Sequence, residues 1–83
     1  MSRTLAFTDT GWTDYLYWQH TDRATFRKLN QLIDDIRHNG NAGGTGTPEP
    51  LRQNLSGWWS RRIDHEHRIV YRSDDDNVIV IAC

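Results

Sequence analysis

The sequence predicts a small α+β domain, in which a mostly antiparallel, twisted sheet carries two N-terminal helices on one face. Three observations predict this class. Apolar residues recur at helical spacing in residues 22–36, the apolar period changes to two after Pro50, and residues 77–83 are almost entirely apolar or β-branched. The predicted element order is β-α-α-loop-β-β-β. The 83 residues suffice for a single domain, residues 1–83, with one modest core.

The first half of the chain predicts a short strand and two helices. Residues 4–8 alternate weakly, as in a strand, and Asp9 or Thr10 is placed to cap the first helix. Thr21 and Asp22 suggest a second cap. The predicted core face of the first helix consists of Trp12, Tyr15, Leu16 and Gln19. The predicted core face of the second helix consists of Phe26, Leu29, Leu32, Ile33 and Ile36.

The second half predicts a loop followed by three strands. Residues 39–46 are rich in Gly and Asn and predict an exposed loop with no part in the core. Residues 57–63 and 67–72 alternate as paired strands joined by a tight turn at 64–66. Residues 77–83 predict a strand that is buried on both faces in the middle of the sheet.

Charge and composition limit the classes of protein to which this chain can belong. The net charge is −1, so attraction to a polyanion has to come from the distribution of charge and not from its sum. Residues 51–71 carry four Arg against two acids, whereas acids cluster at 34–35 and 74–76. A surface of mixed charges is the alternative interpretation. We expect a cytoplasmic chain without signal peptide or membrane segment, and Cys83 as the single cysteine forms no internal disulfide.

The predicted hairpin supplies the first candidate site. If a three-residue turn places Ile63 opposite His67, then Arg62 lies directly across from Arg68. The side that faces the helices then consists of Trp59, Arg61, Ile63, His67, Ile69 and Tyr71. The open side consists of Trp58, Ser60, Arg62, Arg68, Val70 and Arg72.

Like charges directly opposite each other are unfavourable, so the predicted pair of Arg62 and Arg68 calls for an explanation. A bridging anion such as a phosphate would explain it, because the planar guanidinium suits bidentate phosphate contacts. The alternative is that both side chains are exposed and splayed, and are satisfied by Asp64, Glu66 or solvent.

Glu49 is the second candidate, because the prolines on both sides stiffen its backbone in an extended form. A carboxylate held at the rim of an Arg-lined face could act as a general base. The alternative is a solvated loop residue. The four histidines form no pattern of convergent metal ligands and are expected at the surface or at helix ends.

Four motifs carry a resemblance to a known family. They are WTDYLYWQ at residues 12–19, PEPL at 48–51, and NLSGWWSRRI at 54–63 followed by EHRIVY at 66–71. Together they resemble the YoeB toxins within the RelE/ParE superfamily, from about residue 7 to residue 83. The resemblance implies the RelE-like, microbial ribonuclease-like fold.

The resemblance also implies a function and partners. It implies the toxin of a type II toxin–antitoxin system that cleaves messenger RNA in the A site of the 70S ribosome and so inhibits translation. It implies neutralisation by a YefM-like antitoxin, contact with operator DNA only through the antitoxin complex, and the homodimers that toxins of this group commonly form.

Individual residues take roles from the resemblance. Glu49 matches the general base that helps to remove the ribose 2′-hydroxyl proton, and Arg62 and Arg68 match the arginines that stabilise the reacting phosphate. The predicted RNA-binding set is Arg52, Gln53 and Arg61. No cofactor or metal is implied, because the guanidiniums supply the electrostatic stabilisation.

The chain departs from the family pattern after Cys83, where the family usually continues with Arg-Tyr-His-Tyr. That His is the family's general acid, and general acid–base assistance is worth ~100- to 10,000-fold in rate. A truncated, catalytically impaired toxin that acts only as an antitoxin-binding module or transcriptional co-repressor is therefore the alternative. Thr45 and Thr47 replace lysines common in the family's loop. A ParE-like gyrase inhibitor fits less well, since Glu49 and the SRRI…EHR pattern match the ribonuclease branch.

Overall fold

Five strands and two helices are formed by residues 2–83, the part of the chain that the computed structural model describes. They are β1 (Thr4–Phe7), α1 (Asp9–Thr21), α2 (Arg23–Asn39), β2 (Glu49–Pro50), a 3₁₀ turn (Gln53–Leu55), β3 (Trp59–Arg62), β4 (Arg68–Ser73) and β5 (Asn77–Ala82). The sheet order is β1-β5-β4-β3-β2, with β1 parallel to β5 and the remaining pairs antiparallel. The predicted α+β class and element order are confirmed, and the two-residue strand β2 adds an edge that the periodicity did not indicate.

Helix α1 differs from the prediction in its cap and in its buried face. Thr8 caps the helix, and its hydroxyl accepts a hydrogen bond from the Gly11 N–H at 3.1 Å, so the predicted caps at Asp9 and Thr10 were wrong. Trp18 is the buried ring, at 8% exposure, whereas Trp12 is 48% exposed. Trp12, Tyr15, Tyr17 and Trp18 are all aromatic in this short helix, and helical spacing alone does not decide which of them is buried.

Helix α2 follows the prediction closely. The Asp22 carboxylate accepts hydrogen bonds from the Ala24 and Thr25 N–H groups and caps the helix. These bonds hold the pKa of Asp22 below its ordinary value. Four of the five predicted core residues are buried, and Phe26 packs against them half-buried.

The core lies between the helices and one face of the sheet. It consists of Trp18, Leu29, Leu32, Ile33, Ile36, Ile63, Ile69, Tyr71, Val78 and Val80. Strand β5 lies centrally, as predicted, between β1 and β4. Val78 and Val80 are fully buried beneath the helices, but Ile79 and Ile81 on the other face are only half-buried, so burial on both faces was an overestimate.

The β3–β4 hairpin has the predicted register. Arg62 pairs with Arg68, and the Ile63 N–H donates to the His67 carbonyl at 2.8 Å. Asp64 stabilises the turn, because its carboxylate accepts the N–H groups of Glu66 and His67 at 2.8 and 2.7 Å. Among residues 2–83, no helix is long and apolar enough to cross a membrane.

Candidate functional site

The open face of the hairpin carries the two arginines that the register places across from each other. Arg68 donates to the Ser60 hydroxyl at 3.1 Å and lies 3.7 Å from a Glu49 carboxylate oxygen. The Arg62 side chain is exposed and makes no hydrogen bond or ion pair with any other residue in 2–83. One guanidinium is therefore oriented by its neighbours, and the other is available to an external anion.

Glu49 reaches this face through strand β2. Its backbone pairs with Ser60, and Pro50 pairs with Trp59, so the chain between the two prolines runs along the outer edge of β3. The Glu49 side chain is 48% exposed and that of Arg68 38% exposed. Glu49 thus lies beside Arg68, and Arg62 lies across the hairpin from Arg68.

Asp64, one of the two alternative partners of the arginine pair, is engaged elsewhere. The Asp64 carboxylate binds two backbone N–H groups and the His67 ring at 3.0 Å. The backbone bond from Glu66, the largest cause, and the His67 ring hold the pKa of Asp64 below its ordinary value. Asp64 is thus committed to the turn, and it does not neutralise Arg62.

The location of Arg61 contradicts the prediction that this residue binds RNA. Its side chain has no exposed surface. Alternation along β3 turns it towards the helices, where its guanidinium donates to the Tyr71 hydroxyl at 2.8 Å and to Asp35 at 2.8 Å. A buried and fully paired guanidinium does not contact RNA, so the role of Arg61 is internal.

The segment after α2 is a partly exposed loop that adds no side chain to the apolar core, as predicted, but its backbone surrounds that guanidinium. Arg61 donates to the backbone carbonyls of four loop residues, which are Gly40, Asn41, Gly43 and Thr45. Burial opposes ionisation of Asp35, but bonds from the Thr45 N–H, the Asn39 amide and Arg61 outweigh it and lower the Asp35 pKa. Sequence patterns carry no signal for carbonyls that converge on a buried cation.

Arg52 and Gln53 lie at the 3₁₀ turn that follows β2. Both are exposed, and Gln53 has a positive φ of 58°. The turn joins β2 to β3 at the end of the sheet that carries Trp58. Neither side chain makes a hydrogen bond or ion pair with Glu49, Arg62 or Arg68 within the described residues, and their part in RNA binding stays a prediction.

Trp58 and Arg72 form a further contact on the open face that the sequence analysis did not assign to the site. The Arg72 guanidinium lies over the Trp58 ring, 4.6 Å from its centroid. The alternation that placed Arg62 and Arg68 on this face also placed Trp58 and Arg72 there, and that was the available signal. The open face thus combines cations with an aromatic ring, as nucleic-acid-binding surfaces do.

Metal ligands do not converge within residues 2–83, where no group of three His, Cys, Asp or Glu side chains is placed to hold an ion. His67 instead packs edge-on against Trp18, with ring centroids 4.7 Å apart. His20, His38 and His65 are exposed, as predicted. Burial, and then the nearby Asp14 carboxylate, raise the pKa of the Cys83 thiol to about 12, so this thiol is not a nucleophile at neutral pH.

The arrangement on the open face suits acid–base chemistry at an anionic centre. A carboxylate can take a proton from a hydroxyl group. Two adjacent guanidiniums can stabilise negative charge that develops on the non-bridging oxygens of a phosphate. Glu49, Arg62 and Arg68 supply these groups on neighbouring strands of one sheet face.

Comparison with known proteins identifies close relatives across nearly the whole chain. Residues 7–83 match the model of the YoeB-like toxins of bacterial type II toxin–antitoxin systems. The toxin YoeB of Escherichia coli is 51% identical over 79 residues, which cover 95% of this chain and 93% of the relative.

Two solved structures from Staphylococcus aureus share the fold. A YoeB dimer superposes with a TM-score of 0.92 at 40% identity and covers 100% of this chain and 95% of its own. A heterotetrameric YoeB–YefM toxin–antitoxin complex superposes with a TM-score of 0.91 at 40% identity and the same coverage. With half of its residues shared with one YoeB toxin and its backbone shared with another, the chain belongs to the YoeB-like toxins of bacterial type II toxin–antitoxin systems.

Proposed function

We propose that this toxin is an endoribonuclease that cleaves messenger RNA in the A site of the 70S ribosome. Glu49 acts as the general base, and Arg62 and Arg68 bind the scissile phosphate. The observation that carries the proposal is the 3.7 Å approach of Glu49 to Arg68, with Arg62 directly across the hairpin. A carboxylate beside two guanidiniums supports a proton acceptor next to a phosphate-binding site.

The proposed reaction uses these groups in turn. The ribose 2′-oxygen bonds to the adjacent phosphorus while its proton passes to Glu49. The bond from phosphorus to the 5′-oxygen breaks, and that oxygen takes up a proton, which leaves a 2′,3′-cyclic phosphate and a 5′-hydroxyl. In the family, a His beyond the position of Cys83 supplies this last proton. Arg62 and Arg68 stabilise the charge on the phosphate oxygens as the new bond forms.

Cleavage of a defined messenger on programmed ribosomes tests the proposal. The chain ending at Cys83 and a chain extended by Arg-Tyr-His-Tyr are compared, and the cut is mapped by primer extension. We expect Glu49→Gln to lower the rate ~100- to 10,000-fold and Arg68→Ala to lower it ~100- to 1,000-fold. Arg27→Ala, which removes an exposed Arg from α2, is the control and leaves the rate unchanged. Absence of cleavage by the extended chain contradicts the proposal.

We also propose that the chain binds a YefM-like antitoxin, and that it is the antitoxin complex that reaches operator DNA. The support is the 0.91 TM-score to the toxin in the Staphylococcus aureus YoeB–YefM complex. Titration with a YefM-type antitoxin by calorimetry tests this. Binding without ribosomal cleavage by either chain favours a non-enzymatic binding module over the ribonuclease, whereas absence of binding contradicts the antitoxin proposal. A homodimer is supported by the Staphylococcus aureus YoeB dimer and is tested by light scattering.

A further inference from the structure

We infer that Arg61 is a positioning residue for Glu49, and that it acts by anchoring the loop of residues 40–47 that leads into strand β2. The inference rests on the proposed role of Glu49 as the general base. Arg61 touches neither Glu49 nor the open face. Its effect passes through the backbone.

The anchor of the loop is the Arg61 guanidinium. The fully buried guanidinium of Arg61 gathers carbonyls from both ends of the loop, at 2.9 Å from Gly40 and 2.9 Å from Thr45. The Asp35 carboxylate accepts both the Arg61 N–H and the Thr45 N–H, at 2.8 and 2.6 Å. Charged hydrogen bonds in a buried site are strong and directional, so the loop has one preferred path past Arg61.

The anchored part of the loop lies close to Glu49 along the chain. The Gly46 carbonyl accepts the Arg62 N–H at 2.7 Å, which fixes the loop against β3 directly after Thr45. Thr47 then takes a positive φ of 54°, a conformation rare for a non-glycine residue, and turns the chain into β2. Only Pro48 separates this turn from Glu49.

Strand β2 is held by few hydrogen bonds of its own. It has two residues, and the prolines on both sides of Glu49 have no N–H to donate to a ladder. Beyond it, the Leu51 N–H donates to the Trp58 carbonyl at 2.8 Å. A strand with so few hydrogen bonds of its own depends on its flanking anchors, and the upstream anchor is the Arg61 site.

Tyr71→Phe tests the inference with the fold retained. The Tyr71 hydroxyl accepts from Arg61 at 2.8 Å and donates to the Asn41 carbonyl at 2.6 Å, so its removal loosens the anchor without removing a charge. Tyr15→Phe is the matched control, because it deletes a hydroxyl that bonds Asn30 at 2.8 Å, away from the loop. Arg61→Lys is the stronger variant and is used where it remains folded.

Single-turnover cleavage on ribosomes by the extended chain gives the first measurement. We expect Tyr71→Phe to lower the rate about 10- to 100-fold, since small displacements of a reacting group have effects of this order. The affinity for the ribosome stays the same, because Arg62 and Arg68 are unchanged. In a Glu49→Gln background, Tyr71→Phe has no further effect on the rate. Tyr15→Phe leaves the rate unchanged in both backgrounds.

Carbon-13 NMR of the Glu49 carboxyl, together with hydrogen exchange of the Arg62 amide, gives a second measurement that needs no activity. We expect Tyr71→Phe to shift the Glu49 resonance and to lower the protection of the Arg62 amide, and Tyr15→Phe to do neither. An unchanged Glu49 resonance in Tyr71→Phe overturns the inference. So does an equal loss of rate with Glu49 and with Gln at position 49. An extended chain without substitutions that does not cleave overturns the proposed function alone, since the NMR measurement still tests the positioning.

Discussion

Arg61 and Arg62 are adjacent and chemically identical, yet they lie in opposite environments. Strand β3 turns successive side chains to opposite faces, so Arg61 points into the protein and Arg62 points to solvent. The buried residue needs Asp35 and four carbonyls to compensate for the loss of water. The exposed residue keeps its guanidinium free for a ligand. A single motif, SRRI, therefore serves both the core and the candidate site.

Asp35→Asn is predicted to destabilise the protein in a pH-dependent manner. At pH 7 the substitution leaves the buried Arg61 charge without its partner, and loss of one member of a buried pair costs about 3–5 kcal/mol. The folded-state pKa of Asp35 lies below its ordinary value, so its stabilisation is present above pH 3.8 and is lost as the pH falls through the folded pKa.

Urea unfolding of wild type and Asp35→Asn between pH 7 and pH 2.5 checks this prediction. The difference in free energy of unfolding should narrow below about pH 4. Asp34→Asn is the control, because Asp34 is the exposed neighbour on the same helix. A difference that stays constant with pH would show that the charge of Asp35 is not what stabilises the loop.

At the scale of elements, helix α1 lies unusually close to strand β5. A methyl group at Gly11 would collide with the Val80 carbonyl oxygen. The same strand accepts the Thr8 N–H at its Val80 carbonyl, at 3.0 Å, just before the helix begins. The start of α1 is thus set on the backbone of the central strand, and glycine is required for the close approach and not for its φ.

Gly11→Ala is predicted to destabilise the protein, against the usual preference of helices for alanine. Ala is favoured over Gly by about 1 kcal/mol in a helix interior, but overpacking against β5 costs about 1–3 kcal/mol. Thermal unfolding followed by circular dichroism measures the balance. Thr13→Ala, at an exposed position of the same helix, should leave the midpoint unchanged or raise it slightly. A midpoint raised by Gly11→Ala would mean that α1 can move away from β5 without loss.

At the scale of the whole molecule, charge is separated despite a net value of −1. The open face of the sheet carries Arg62, Arg68 and Arg72, and Asp74 of the acidic turn at residues 74–76 accepts hydrogen bonds from the backbone of that turn. Bonds from the Asp76 and Asn77 N–H groups hold the pKa of Asp74 below its ordinary value. A local cationic face on a nearly neutral protein favours a ligand that docks in one orientation.

This separation of charge predicts how the proposed RNA binding depends on salt. Binding of a 2′-deoxy oligonucleotide analogue, which cannot be cut by 2′-oxygen attack, is measured over a series of KCl concentrations. Arg62→Ala should reduce the slope of log K against log salt by about 0.7 to 1, because one phosphate contact is lost. Arg27→Ala on α2 should leave the slope unchanged. Equal slopes for wild type and Arg62→Ala would place the RNA away from this face.

Local physical chemistry in the sequence determined much of the fold and part of the site. The apolar period of α2 follows from one face being buried, and the hairpin register follows from a three-residue turn with alternation. That register was sufficient to predict Arg62 across from Arg68. The two prolines were sufficient to predict that Glu49 has an extended backbone, and β2 confirms it.

Only the tertiary structure decided which chemically similar groups are buried and which groups meet. Helical spacing allowed Trp12 as a core residue, but packing buries Trp18. Alternation placed Arg61 on the side that faces the helices, but only the fold brings together the backbone carbonyls that enclose its guanidinium. The approach of Glu49 to Arg68 joins residues on two different strands. Such contacts join residues that are far apart in the sequence and form only when the chain closes on itself. Periodicity and turn chemistry are local, so they can be predicted from the sequence, whereas the long-range contacts are decided by the fold.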